Sequence, residues 1–321
     1  MYKRTIPFIF AFIFTTPLFA QPVSVDLNLH RYEKTSSVSD SINSVGSDTM
    51  EELLQMWWNG FKKYYPNINL TEEAKGSATA PPALVSGRAD IAPMSREMTN
   101  NEVNKFVKKY GYKPSRVSVG LDALEIFVNS KNPIQGLSLQ QLDAIFSTTN
   151  KRGFKGNITV WGQVGLKSKW AFRKINLYGR NYSSGTNGYF KESTILNGEY
   201  KSKIVLLPTS DEMIKSISAD LFGIGYSGIG YNNSGVKSIP LAEKDGVKYY
   251  RGTYKNVLND NYPLSRFLYI YFNKKHGIQL DKLTHEFLKF ILSYEGQKIV
   301  VKAGYFPLPV KNVVKELKKL E

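Results

Sequence analysis

The chain has 321 residues, 43 of them Lys or Arg against 27 Asp or Glu, for a formal net charge of +16, and it has no cysteine. The length is enough for two domains with separate cores, and the missing cysteine excludes disulfides and a lipidated thiol. Surplus positive charge draws anions in general. The lysines are scattered singly, however, and no finger, helix-turn-helix or RNA-binding signature appears, so no nucleic-acid partner is expected.

The chain opens "MYKRTIPFIFAFIFTTPLFAQ", with Lys3 and Arg4 ahead of an apolar run and Ala20 as a small residue for cleavage. That layout predicts a secretory signal peptide over residues 1–20, too short to span a bilayer comfortably. A soluble, exported, periplasmic protein follows from it. Residues 21–41 are polar and aperiodic and read as a flexible extension.

From Met50 to Tyr65, apolar residues at three-four spacing predict an amphipathic helix, stopped by Pro66. Gly46-Ser47-Asp48-Thr49 ahead of it are a glycine turn and good N-cap types. "INLTEEAKG" reads as a strand and loop. Gly76 and Ser77 then lead into a short helix with Pro81 and Pro82 in its first turn, where their missing N–H costs nothing. Gly87 ends that helix, and "ADIAP" reads as a short buried strand followed by Ser95 and Arg96. "RVSVGLDALEIFVN" is strand-like, and "SLQQLDAIFS" a helix with Ser138 as cap candidate. "LYGRNYSSGTNGYFKE" puts Arg180 ahead of Ser183, Ser184, Gly185 and Thr186, immediately before another helical pattern. "YPLSRFLYIYF" suits a buried strand, and the basic C-terminal "VKNVVKELKKLE" a solvated helix.

Three times, then, a small hydroxyl-rich loop feeds a helix N-terminus. The first N–H groups of a helix have no internal partner and its dipole makes that end partly positive, so an oxyanion fits there. Arg180 adds a fixed fork of donors. The Arg180 stretch brings no strong acid, base or thiol and reads as a device for holding a negative group. Whether the three loops meet in space is left open by the sequence.

The segments "GSDTM", "KGSATA…SGRADIAPMSREMT", "GRNYSSGT", "GIGYSGIGY" and "FLKFILSYEGQKIVVKAGYFPLP" resemble the phosphate-binding proteins (PstS type) of bacterial phosphate ABC transporters. The likeness runs from about Ile42 to Pro309, and its tail is specific: a helix ending in Ser-x-Glu-Gly-Gln, then Gly304-Tyr305 and Pro307-Leu308. The resemblance implies an α/β, two-lobe periplasmic binding protein-like (type II) fold with the ligand cleft between lobes. Residues 42–125 would form the first part of lobe 1, 126–264 lobe 2, and 265–321 the second part of lobe 1. It also implies a monomer that captures inorganic phosphate and delivers it to an ABC transporter permease in the inner membrane, with no cofactor, no metal and no catalysis. The implied phosphate ligands are Asp48, Thr49, Ser77, Ser95, Arg180, Ser184, Gly185 and Thr186.

Two readings stay open for Asp48: acceptor for the proton of monohydrogen phosphate, or plain helix cap. Arg96 is read as a structural residue paired with Glu97 or Glu102 rather than as a second ligand cation. "GIGYSG" (223–228) matches a dinucleotide glycine spacing but is read as strand and turn continuing through Gly230 and Tyr231. His30, His276 and His285 make no metal-ligand or triad pattern. The alternatives carried forward are a phosphatase, an adhesion role, and a binder of another oxyanion such as sulfate.

Overall fold

The computed structural model describes residues 23–35, 38, 40–229 and 235–321. The expected signal peptide and the Gly230–Tyr231 continuation of the glycine run lie outside the described residues. Eleven strands appear among those described: β1 (Asp40–Val45), β2 (Ile68–Glu73), β3 (Ile91–Met94), β4 (Ser115–Asn129), β5 (Leu137–Ser138), β6 (Asn176–Arg180), β7 (Val205–Leu207), β8 (Gly223–Gly228), β9 (Val236–Ile239), β10 (Leu241–Ala242) and β11 (Ser265–Phe272). The helices are α1 (Glu51–Phe61), α2 (Ala80–Ser86), α3 (Asn100–Tyr110), α4 (Leu139–Phe146), α5 (Gly185–Ser193), α6 (Ser210–Ala219), α7 (Tyr254–Leu258), α8 (Lys282–Ile291), α9 (Tyr294–Lys302) and α10 (Val310–Leu317).

One long sheet runs in the order β2-β1-β3-β11-β4-β8-β6-β7, with β9 also on β4. The strand β4 joins two halves. Up to Ala123 it pairs antiparallel with β11, and from Leu124 onward with β8 and β9. In the first half β1 is parallel to both β2 and β3; in the second, β6 is parallel to both β7 and β8. Each half therefore presents the carboxyl ends of parallel strands on one side, the place where loops of α/β sheets gather around a ligand.

Local chemistry explains most elements. Leu53, Leu54, Trp57, Trp58 and Phe61 fill the buried stripe of α1, which ends at Phe61, a turn before Pro66. Pro81 and Pro82 sit in the first turn of α2, and Gly87 closes it in the left-handed conformation at φ +83°. The Ser138 hydroxyl accepts from Gln141 N while the Gln141 side chain reaches back, a capping box that starts α4.

Three expectations need correction. The segment read as a flexible extension is not loose throughout: Val25, Leu29 and Tyr32 are buried in the core. Tyr32 Oη donates to Glu286 Oε2 at 2.6 Å, and Tyr32 N to Glu295 Oε2 at 2.7 Å, so a few apolar anchors outweigh a polar average. Ser293 does not end a helix but begins one, its hydroxyl accepting from Gly296 N as N-cap of α9. Nor is α10 merely solvated. Val313 and Leu320 are buried, and Glu316 Oε2 accepts from Ser118 N at 3.0 Å.

Candidate functional site

The three loops singled out in the sequence converge. β1 ends at Val45, and Gly46 follows where any Cβ would collide with the Pro93 carbonyl. Ser47 N donates to Pro93 O at 2.9 Å, which ties the first loop to the end of β3. A short 3-10 turn, Asp48–Met50, then feeds α1 without any side-chain cap. The second loop turns at Gly76, whose φ of +102° suits only glycine; its N–H reaches Gly46 O at 2.8 Å. The third loop leaves β6 at Arg180. The Asn181 side-chain oxygen Oδ1 accepts from Ser183 Oγ and Ser184 N, at 2.9 and 3.1 Å, and the Ser184 hydroxyl accepts from Thr186 N at 3.1 Å to cap α5.

All eight residues expected as ligands meet in one buried cluster. Ser77 and Ser95 are fully buried; Ser95 N donates to Ser77 Oγ at 3.1 Å, and Ser47 Oγ donates to Ser95 Oγ at 3.2 Å. A Cβ on Gly185 would overlap Ser77 Oγ and Ser95 Oγ, so the start of α5 rests on those hydroxyls with nothing in between. Thr49 Oγ1 and Thr186 Oγ1 lie 3.1 Å apart. Ala78 N donates to Ser183 O at 3.1 Å. Every one of these last three contacts crosses from one half of the sheet to the other.

Arg180 is fully buried. Its Nη1 donates to Ser210 Oγ at 2.6 Å, its Nη2 to Pro208 O at 2.8 Å, and Nη2 also pairs with Asp48 Oδ2 across the halves. Asp48 is thus an ion-pair partner and not a helix cap. Its second oxygen, Oδ1, is buried with no hydrogen-bond partner, as is Arg180 Nε. An unpartnered buried carboxylate oxygen at such a pair is a free acceptor next to a strong donor.

Tyr226 on β8 supports the Arg180 backbone. Its oxygen accepts from Arg180 N at 3.3 Å and from Asn187 Nδ2 at 3.2 Å, while Asn187 Nδ2 also donates to Arg180 O at 2.6 Å. Burial pushes the Tyr226 phenol up to about 12, so it stays neutral at physiological pH. Its ring stacks on Phe190 at 3.9 Å. The glycine run 223–228 is a plain buried strand. Arg96, as expected, is structural: Nη1 and Nη2 fork onto Glu102, each at 2.8 Å, although the pair is mostly buried rather than on the surface.

Sequence reasoning missed four participants. Ser210 opens α6 after the N-cap Thr209, the same hydroxyl-before-helix signal as the other three, and could have been found by it. Tyr305 Oη donates to Thr49 O at 2.7 Å with no local signal. Arg266 and Asp122 form a buried ion pair, Nε and Nη2 both on Oδ2 at 2.9 and 2.7 Å, and Nη2 also donates to Thr186 Oγ1 at 3.0 Å. Among the described residues, no cluster of three or more His, Cys, Asp or Glu could hold a metal, and no helix is long and apolar enough to cross a membrane.

Residues 33–295 match the family model of the PBP superfamily domain. The chain is 48% identical over 297 residues to the phosphate-binding protein PstS of Pseudomonas aeruginosa, covering 92% of each protein. Among solved structures, it is similar to an ABC-type phosphate transport receptor of Vibrio cholerae, with TM-score 0.66, 26% identity, and coverage of 84% of this chain and 100% of that one. It shares the fold of a Clostridium perfringens substrate-binding protein solved with bound phosphate, at TM-score 0.69 and 23% identity, covering 84% of this chain and 100% of that one. The α/β, type II periplasmic-binding fold expected from the sequence is the fold observed. The chain therefore belongs to the PBP superfamily and, within it, to the family of the phosphate-binding protein PstS.

Proposed function

We propose that this protein captures inorganic phosphate between two lobes and hands it to the permease of an ABC transporter. The lobes are residues 42–125 with 265–321, and residues 126–264. The observation that carries the reading is the meeting of four hydroxyl-rich helix starts around one buried guanidinium–carboxylate pair. Such a shell offers many donors to a tetrahedral oxyanion and one acceptor. Each hydrogen bond to a charged group contributes roughly 1.5–3 kcal/mol net. A handful, less ordering costs, reaches the roughly −8 kcal/mol of a micromolar complex.

The acceptor supports phosphate over sulfate. Asp48 Oδ1 has no partner and takes the P–OH proton of monohydrogen phosphate; sulfate has no proton at neutral pH and would set a lone pair against a buried carboxylate. Because donors come from both lobes, the anion favours the closed arrangement, which is the form that docks on the inner-membrane permease. The protein acts in the periplasm as a monomer, after removal of residues 1–20.

Catalysis is not part of this reading. The relatives named above are binding, receptor or substrate-binding proteins, and the cradle hydroxyls lie against one another, the Arg180 guanidinium and backbone amides. Titration calorimetry with phosphate and sulfate between pH 6 and 8, beside a chromogenic phosphomonoester assay, tests all three points. Tight phosphate binding, weak sulfate competition and no ester cleavage are expected; sulfate binding as tightly as phosphate, or steady release of phosphate from the ester, would defeat it.

A further inference from the structure

From the buried Arg266–Asp122 pair, we infer that Arg266 is a second, indirect cation of the anion site: a positioning residue that makes the Thr186 hydroxyl a donor to the guest and latches the lobes together. This rests on the anion-binding reading above and goes beyond its ligand set.

Arg266 and Asp122 stand directly opposite each other on β11 and β4, and their side chains are 2% and 0% exposed. Asp122 is held from every side. Oδ2 takes two bonds from Arg266, Oδ1 takes Ile229 N at 3.1 Å, and Gly228 packs so close to the carboxylate that a Cβ there would press on it. The guanidinium is therefore fixed before any ligand arrives. Its charge is balanced by Asp122, but its donors are not all used. Nη2 continues to Thr186 Oγ1, and Nη1, the adjoining arm of the same planar fork, is buried without a hydrogen-bond partner. The Tyr189 ring lies 5.4 Å from the guanidinium carbon, so the face of the fork is covered as well.

Proton bookkeeping then decides the role of Thr186. A hydroxyl has one proton and two lone pairs, and arginine has donors only. Thr186 Oγ1 accepts from Arg266, so its own proton is free for another acceptor. Thr49 Oγ1 lies within reach at 3.1 Å; with a guest in the cradle the proton goes to an anion oxygen. A hydroxyl already accepting from a guanidinium is polarised and donates more strongly. The contact also crosses the halves: Arg266 belongs to the β11 side, Thr186 to the first turn of α5. It can form only when the lobes are closed.

Calorimetry with inorganic phosphate on the full mature protein tests this. Arg266→Gln alone would strand a buried Asp122, so the charge pair is removed as Asp122→Asn/Arg266→Gln, and combined with Thr186→Val in a double-mutant cycle. The pair variant is expected to weaken phosphate binding about 10–100-fold, as for loss of one or two charge-assisted bonds. Thr186→Val should cost about as much, and the combined protein little more than Thr186→Val alone. Arg266→Lys keeps the charge and the fold but cannot fork onto both Asp122 and Thr186, and should weaken binding roughly 3–10-fold. Wild-type affinity in either Arg266 variant, or losses that multiply fully with Thr186→Val, would overturn the inference. A wild-type protein that takes no phosphate would overturn the underlying reading first, and this one with it.

Discussion

The site has two buried arginine corners that mirror each other. Arg180 ends β6 in the second half of the sheet and reaches back to Asp48 in the first; Arg266 lies on β11 in the first half and reaches forward to Thr186 in the second. Each has an aspartate, and neither side chain meets solvent to any useful extent. The aspartates differ in kind. Asp122 is the cross-strand neighbour of Arg266 within one sheet, so that pair needs no contact between the two halves. Asp48 belongs to the other half of the sheet from Arg180, so that pair exists only where the two halves meet. In the proposed reading the Arg180 corner is the switching one, made as the lobes close on the anion, and the Arg266–Asp122 pair is the fixed one, which orients Thr186. Desolvating an ion pair is costly unless its remaining donors and acceptors are satisfied. In the proposed reading the anion supplies that satisfaction to the Arg180 corner; at the other, Ile229 N satisfies Asp122 Oδ1 while Arg266 Nη1 keeps no partner.

The largest effect should come from breaking the switching corner. Arg180→Ala removes the guanidinium paired across to Asp48 and leaves that carboxylate facing the guest, so phosphate affinity should fall by about 10²–10⁴, read by calorimetry. Next, Gly185→Ala places a methyl where Ser77 and Ser95 lie against α5. Affinity should drop about 100-fold while the ligand-free melting temperature barely moves, because the clash exists only between closed lobes. A wild-type dissociation constant in that variant would mean the lobes meet some other way.

The fixed corner is sharpened by a stability measurement. Glu125, on β4 three residues past Asp122, is held up to about 8 by burial. The Ser238 hydroxyl pulls it down, the Asp122 charge pushes it up, and Arg251 pulls it down. In the unfolded chain the same carboxyl titrates near 4.5. Between those two values the folded protein keeps a proton that the unfolded chain releases. Stability from this group is therefore full below about 4.5 and is lost as pH rises through about 8. Glu125→Gln should flatten that slope, gaining on the order of a few kcal/mol relative to wild type at pH 9, with phosphate affinity at pH 6 unchanged. Denaturant melts at several pH values check it. The smallest effect belongs to Arg96→Ala: a guanidinium spent on Glu102 and Glu97 O has little left for a guest, and less than about threefold in affinity should be lost. A loss equal to that of Arg180→Ala would erase the distinction between a cation that faces the ligand and one that does not.

The two corners also show why half of the site was legible beforehand. Arg180 lies in a run where Ser184 caps α5 and Gly185 leaves the first turn bare. Capping, turn chemistry and free helix amides are decided within a few residues, so the sequence carries them openly. The same holds for Pro81 and Pro82 in α2 and for Ser138 ahead of α4. Arg266 stands inside "SRFLYIYF", where the periodicity describes a buried strand and hides its one charge. Its partner Asp122 is 144 residues away. The N-terminal segment misleads in the same way. Its composition is polar, but Val25, Leu29 and Tyr32 are buried, and Tyr32 is anchored by Glu286 and Glu295 near the other end of the chain.

The sequence by itself determined the alternation of strands and helices, the hydroxyl-rich starts of α1, α2 and α5, and the family to which they point, because each depends on backbone geometry and capping over short spans. Only the tertiary structure decided that Asp48 pairs with Arg180 instead of capping a helix, that Ser210 and Arg266 join the cradle, and that Gly185 bears directly on Ser77 and Ser95. Those facts rest on which strand ends the sheet brings side by side, and on which buried charge finds its counter-charge there. Pairings of that kind follow from long-range packing and desolvation, and they leave no periodic trace in the order of residues.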